Sequence, residues 1–150
     1  MIYLDNAATT WPKPPQVYEA VNRAMRVYGA NPGRSGHAMS TAAAEEMYRC
    51  REAAAQLFHA PGPECVAFTL NCTEAVNMVL KGRLKPGDHV VVSCLEHNAV
   101  MRPLQKLSEE RGVTFTQAQV VPGDNDATVD AFRKAFRANT ALVFCTHASN

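Results

Sequence analysis

Between Cys65 and Cys145, short apolar runs alternate with helix-length stretches, and this rhythm constrains the fold more than any other property of the chain. The runs are Cys65 to Leu70, Val90-Val91-Val92-Ser93-Cys94, a strand within Val113 to Val121, and Ala141 to Cys145. Between them, Thr73 to Lys81, Ala99 to Arg111 and Val129 to Phe136 read as helices, with Gly82 and Gly112 as stops after the first two. A strand that is apolar throughout must be covered on both faces. The expected class is therefore α/β, a mostly parallel, helix-covered sheet.

The first part of the chain has a different rhythm. Residues 1–13 read as an irregular segment, punctuated by Pro12 and followed by Pro14 and Pro15. A helix is expected from about Pro14 to Tyr28, because Val17, Val21, Met25 and Tyr28 recur at three- and four-residue steps, with Gly29 as its stop. Asn31-Pro32-Gly33-Arg34-Ser35-Gly36-His37 has the chemistry of a loop. Ser40 or Thr41 is expected to cap a second helix running to about His59, which Ala60-Pro61-Gly62-Pro63 ends. Residues 14–150 are expected to form one partial domain.

Composition mainly excludes. A chain of 150 residues with 47% hydrophobic and 19% charged residues can fold around a core. A net charge of +1 gives no reason to expect nucleic acid or an acidic membrane surface as partner. No apolar run is long enough to span a bilayer, and the first residues carry no basic signal-peptide region. The 5 cysteines form no CxxC pair, so free thiols and a cytoplasmic location are expected.

Candidate chemistry gathers where strands give way to helices. Phe68 to Asn77 reads as strand, tight turn and helix start. Free N–H groups there, with the Thr73 hydroxyl, suit an anion such as phosphate. Taken alone, Thr73 reads first as an N-cap. His97 follows the strand ending at Cys94, where an imidazole can stack on a ligand ring or move a proton; alone it reads as a loop histidine bonded to backbone. Asn150 offers an amide to a ligand oxygen, or else belongs to a strand-end turn. Asp5-Asn6-Ala7-Ala8-Thr9-Thr10 lines a pocket mouth or forms an ordered turn. A rival grouping is Cys94, His97, Cys145 and His147, whose donors suit tetrahedral zinc. Their CxxH and CxH spacings are not those of paired structural sites, so no metal ligand is assigned.

In order, the strings Tyr3-Leu4-Asp5-Asn6-Ala7-Ala8-Thr9-Thr10, Asn31-Pro32-Gly33-Arg34-Ser35-Gly36-His37, Thr73-Glu74-Ala75-Val76-Asn77, Lys85-Pro86-Gly87-Asp88, Glu96-His97-Asn98-Ala99-Val100 and His147-Ala148-Ser149-Asn150 resemble the N-terminal part of the class V aminotransferase-like enzymes. Within that family the sequence is most similar to the cysteine desulfurase and selenocysteine lyase group. The resemblance implies part of the large domain of a fold-type I transferase dependent on pyridoxal 5′-phosphate (PLP). It implies that Cys72 and Thr73 bind the PLP phosphate. His97 would stack on the pyridine ring, with proton transfer as a second, catalytic role. Asn150 would donate to the phenolic oxygen, with the substrate carboxylate nearby. Asn6, Ala7 and His37 match segments near the substrate entrance. Cys72 departs from the small or hydroxylated residue usual at its position, a change that a backbone contact tolerates.

The implied reaction removes sulfur from L-cysteine, giving alanine and a protein persulfide, with a sulfur-acceptor protein as a further partner. The Schiff-base lysine, the aspartate facing the pyridine nitrogen, the nucleophilic cysteine and the substrate-binding arginine are all expected beyond residue 150. The chain is accordingly expected to be part of a longer enzyme, inactive by itself, and to associate as a homodimer or with a complementary chain. Two alternatives stand beside this reading. One is a class V enzyme acting on another amino acid. The other is a non-catalytic remnant or interaction domain, with zinc as its sharpest form.

Overall fold

The computed structural model describes residues 2–7, 9–33 and 36–147. They form two compact units, divided between Phe68 and Thr69.

The first unit is helical. Helix α1 spans Pro15–Val27, with proline at its first position, where no N–H is required. Helix α2 spans Ala38–Phe58. Its cap is His37 rather than Ser40 or Thr41: the imidazole Nδ1 accepts from the Ser40 N–H at 3.2 Å, and the helix begins earlier than its hydroxyl residues suggest. Ser40 is instead buried, and its hydroxyl donates to the Asn31 carbonyl at 2.9 Å, fastening the preceding loop. Helix α2 ends on His59 in the left-handed region, at φ 52°. The strand expected over Cys65 to Leu70 does not form. Pro63–Cys65 make a single 3-10 turn, Val66 after it is extended, and residues 66–70 have no ladder partner among the described residues. An apolar run specifies a strand only where another strand offers its N–H and C=O groups.

The second unit is the expected α/β layer structure. Its order is α3 (Cys72–Arg83), β1 (His89–Ser93), α4 (Asn98–Arg111), β2 (Thr114–Ala118), α5 (Asn125–Ala135) and β3 (Thr140–Phe144). The strands pair in parallel in the order β2-β1-β3. Every residue of the central strand β1 is buried, which accounts for the apolar run Val90-Val91-Val92 between His89 and Ser93. Alternate side chains serve opposite layers. Val90 and Val92 join Leu80 of α3 with Val100, Leu104 and Leu107 of α4. Val91 packs on the other side with Ala118, Ala135 and Phe132, the last two from α5.

Turn chemistry sets the register. Pro86-Gly87 turns the chain into β1, with Gly87 at φ 81°, and Asp88 closes the turn by accepting from the Lys85 N–H at 2.8 Å. Gly112, at φ 66°, ends α4 as expected. Gly82 does not end α3, which continues through it to Arg83. No helix among the described residues is long and apolar enough to cross a membrane.

Candidate functional site

Loops leaving the carboxyl ends of parallel strands are where an open α/β sheet places its ligands. Two helix starts meet a common groove at this sheet. The first is α3, where Asn71, not Thr73, is the cap: its Oδ1 accepts from the Glu74 N–H at 2.9 Å. Glu74 reaches back to accept from the Leu70 N–H at 2.7 Å. The Ala75 N–H donates to the Asn71 carbonyl. Of the donors in this first turn, the N–H groups of Cys72 and Thr73 have no protein acceptor among the described residues. Freed from capping, Thr73 also has its hydroxyl available.

The second start is α4. His97 is its cap, and Nδ1 accepts from the Ala99 N–H at 3.0 Å. The neutral tautomer that fits this bond carries its proton on Nε2. The backbone-bonded loop histidine and the exposed site imidazole are thus the same residue: one ring nitrogen holds the helix, and the other stays free.

An open groove of about 340 Å³ lies between these starts, lined by Thr73, Asn77, His97, Asn98, Ala99, Arg102 and Pro103. Two helix N-termini with Arg102 give it a positive field. Sequence reading brought out Thr73 and His97, placed Asn77 in the same string as Thr73 without giving it a role, and missed Arg102 and Pro103. Asn77 lies four residues after Thr73, and Arg102 four after Asn98, so each follows from projecting the helix start one turn onward. Pro103 has no N–H for the Ala99 carbonyl one turn back.

Glu96 was also missed. Its carboxylate accepts from the Ser93 hydroxyl at 2.6 Å, the Thr146 N–H at 2.7 Å and the Thr146 hydroxyl at 2.8 Å. It thereby joins the loop after β1 to the chain leaving β3. Burial, and secondarily Glu96, push the Cys145 thiol above its ordinary value. At the opposite end of the sheet, buried His89 contacts Thr140 Oγ1 at 2.8 Å and Thr116 Oγ1 at 2.9 Å. Burial and then the nearby Arg137 lower its pKa.

The zinc grouping is not assembled. Cys94 Sγ accepts from the Val120 N–H at 3.3 Å, and no three His, Cys, Asp or Glu side chains converge among the described residues. In the first unit, Asn6 Oδ1 accepts from the Trp11 N–H at 3.0 Å, Ala7 is exposed, and His37 caps α2 with Nε2 free of that bond. Asn150 lies outside the described residues.

Against this geometry, comparison with known proteins is informative. The sequence model of the Aminotransferase class-V family matches residues 2–150. A probable cysteine desulfurase of Methanothermobacter thermautotrophicus is 38% identical over 99% of this chain, which spans 36% of that relative's length. The apo cysteine desulfurase of Thermococcus onnurineus superposes with a TM-score of 0.82 at 30% identity, covering 99% of this chain and 37% of that one. A C-DES variant solved with glycine covalently linked to its PLP cofactor shares the fold, at a TM-score of 0.68 and 23% identity over 89% of this chain and 35% of that one. The chain belongs to the aminotransferase class-V family.

Proposed function

We propose that these residues supply the phosphate and ring wall of a PLP-dependent cysteine desulfurase, which converts L-cysteine to alanine and leaves the sulfur as a protein persulfide. The observation that carries the reading is the groove joining Thr73, His97 and Arg102 between two helix starts. Its donors fit the group. A phosphate needs N–H donors in a positive field, and the Cys72 and Thr73 N–H groups, the Thr73 hydroxyl and Arg102 are of that kind. A flat ring needs a flat neighbour, and His97 is an exposed imidazole held from behind by its own helix.

PLP, when bound, supplies the electron sink for breaking bonds around the substrate's α-carbon. This chain's part is to hold and orient. Cys72 and Thr73 bind the phosphate through backbone and hydroxyl. His97 lies against the ring and can exchange a proton at Nε2. Asn150 offers its amide to the phenolic oxygen, and Asn6, Ala7 and His37 flank the substrate entrance. Residues 14–150 form part of a large transferase domain. The lysine, the acidic partner of the ring nitrogen, the nucleophilic cysteine and the carboxylate-binding arginine come from sequence outside residues 1–150. Assembly as a homodimer or with a complementary chain, and delivery of sulfur to an acceptor protein, belong to the same reading.

The test uses the native full-length protein with PLP and L-cysteine, measuring alanine and protein-bound sulfur. The expected result is equimolar formation of both. His97→Ala should lower the rate by about a hundredfold or more, the range for loss of a positioned acid–base group. Borohydride reduction should label a lysine outside residues 1–150. A label on Lys85 or another lysine of this chain, or turnover of a different amino acid with cysteine inert, would contradict the reading.

A further inference from the structure

We infer that Glu96 is a positioning residue, whose carboxylate bridges the His97 loop to the carboxyl end of β3 and so fixes the His97 wall of the groove relative to the chain leaving β3. The inference rests on the PLP reading above.

Three bonds shorter than 2.9 Å converge on this one side chain. One comes from Ser93, the last residue of β1. The other two come from the backbone and side chain of Thr146, fifty positions further along the chain. A charged acceptor makes each bond stronger than its neutral counterpart. Strands β1 and β3 are paired only as far as Val92 and Phe144, and while β1 stays bonded to β2 through Ser93 and Cys94, the chain beyond Phe144 has no further ladder bond to β1. Glu96 closes that gap. The residue that follows it is His97, whose ring faces the groove, and Asn150 follows Thr146 by one short stretch of chain.

The geometry asks for one oxygen that accepts twice and a second atom that can bond the Thr146 hydroxyl; negative charge strengthens these bonds but does not set their arrangement. In Glu96→Gln, one oxygen can still accept from Ser93 and the Thr146 N–H. The amide N–H₂ can donate to the Thr146 hydroxyl, which rotates to accept. Glu96→Ala removes every bond, and Thr146→Val removes one.

The experiment measures PLP affinity by titration, and exchange of the Thr146 amide hydrogen in the cofactor-free protein, both in the native full-length polypeptide. Glu96→Ala should weaken PLP about tenfold, the worth of one well-made hydrogen bond, and speed Thr146 exchange at least as much. Glu96→Gln should stay within about threefold of wild type on both readouts, and Thr146→Val should fall between them. If Glu96→Ala fails to fold, the comparison of Thr146→Val with Glu96→Gln decides. PLP affinity unchanged in Glu96→Ala, or in Thr146→Val where that variant decides, overturns the inference while leaving the PLP reading intact. So does Glu96→Gln behaving as badly as Glu96→Ala. Wild-type protein that fails to bind PLP overturns the PLP reading itself, and the inference with it.

Discussion

Helices α1 and α4 have similar length, 13 and 14 residues, and both carry an apolar stripe. Helix α1 buries none of its residues, whereas α4 buries Val100, Leu104 and Leu107 against the sheet. The contrast shows what periodicity encodes. It specifies which face of a helix is apolar, but the burial comes from a partner. In the second unit, β1 and α3 supply that partner. The exposed side chains Val17, Val21 and Met25 have the same pattern without the same burial.

The largest expected effect breaks the contrast directly. Leu80 is fully buried in the second unit. Leu80→Ala should cost about 2–5 kcal/mol of stability, through lost burial and the cavity it leaves. Val21→Ala on α1 should cost no more than about 0.5 kcal/mol, as exposed positions do. Urea midpoints for the two variants check both numbers, and comparable losses would mean that α1 is packed in solution.

A smaller effect sharpens the contrast through pH. The histidines of the first unit, His37 and His59, are exposed, whereas His89 is buried among Thr116, Thr140 and Arg137. Burial and Arg137 hold its pKa below the ordinary value. The unfolded chain therefore takes up a proton first, near pH 6.5, and gains on the folded state as the pH falls further. This contribution is fully present above that pH and is lost as pH drops below it. Unfolding midpoints at successive pH values should fall more steeply in wild type than in His89→Gln. Parallel curves would show that His89 is not the titrating group.

How far the residues could be read in advance differs by region for the same reason. Val90-Val91-Val92 announced a strand buried on both faces, and Gly112 announced the end of α4, because each signal is local and its partner lies in the same unit. Cys65 to Leu70 looked as apolar but found no ladder, since no sequence signal reports whether a neighbouring strand is present. Caps were legible in kind and not in identity. A polar residue was expected at the starts of α2 and α3, but the choice of His37 over Ser40, and of Asn71 over Thr73, depends on which side chain the backbone aims at the free N–H groups. In the groove, Thr73 and His97 could be read because both stand at helix starts. Glu96 could not, because its partner Thr146 is distant in sequence and reaches it only through the parallel pairing of β1 with β3.

The measurement closest to the central claim compares binding of PLP and of pyridoxal, which lacks the phosphate, to the native full-length protein and to Thr73→Ala, Arg102→Ala and His97→Ala. If the groove between α3 and α4 holds the phosphate, PLP should bind at least about tenfold more tightly than pyridoxal, a difference of about 1.4 kcal/mol. Thr73→Ala and Arg102→Ala should narrow that gap, while His97→Ala should weaken both ligands alike. Equal affinity for the two ligands in wild type, or a gap untouched by Thr73→Ala and Arg102→Ala, would contradict the account.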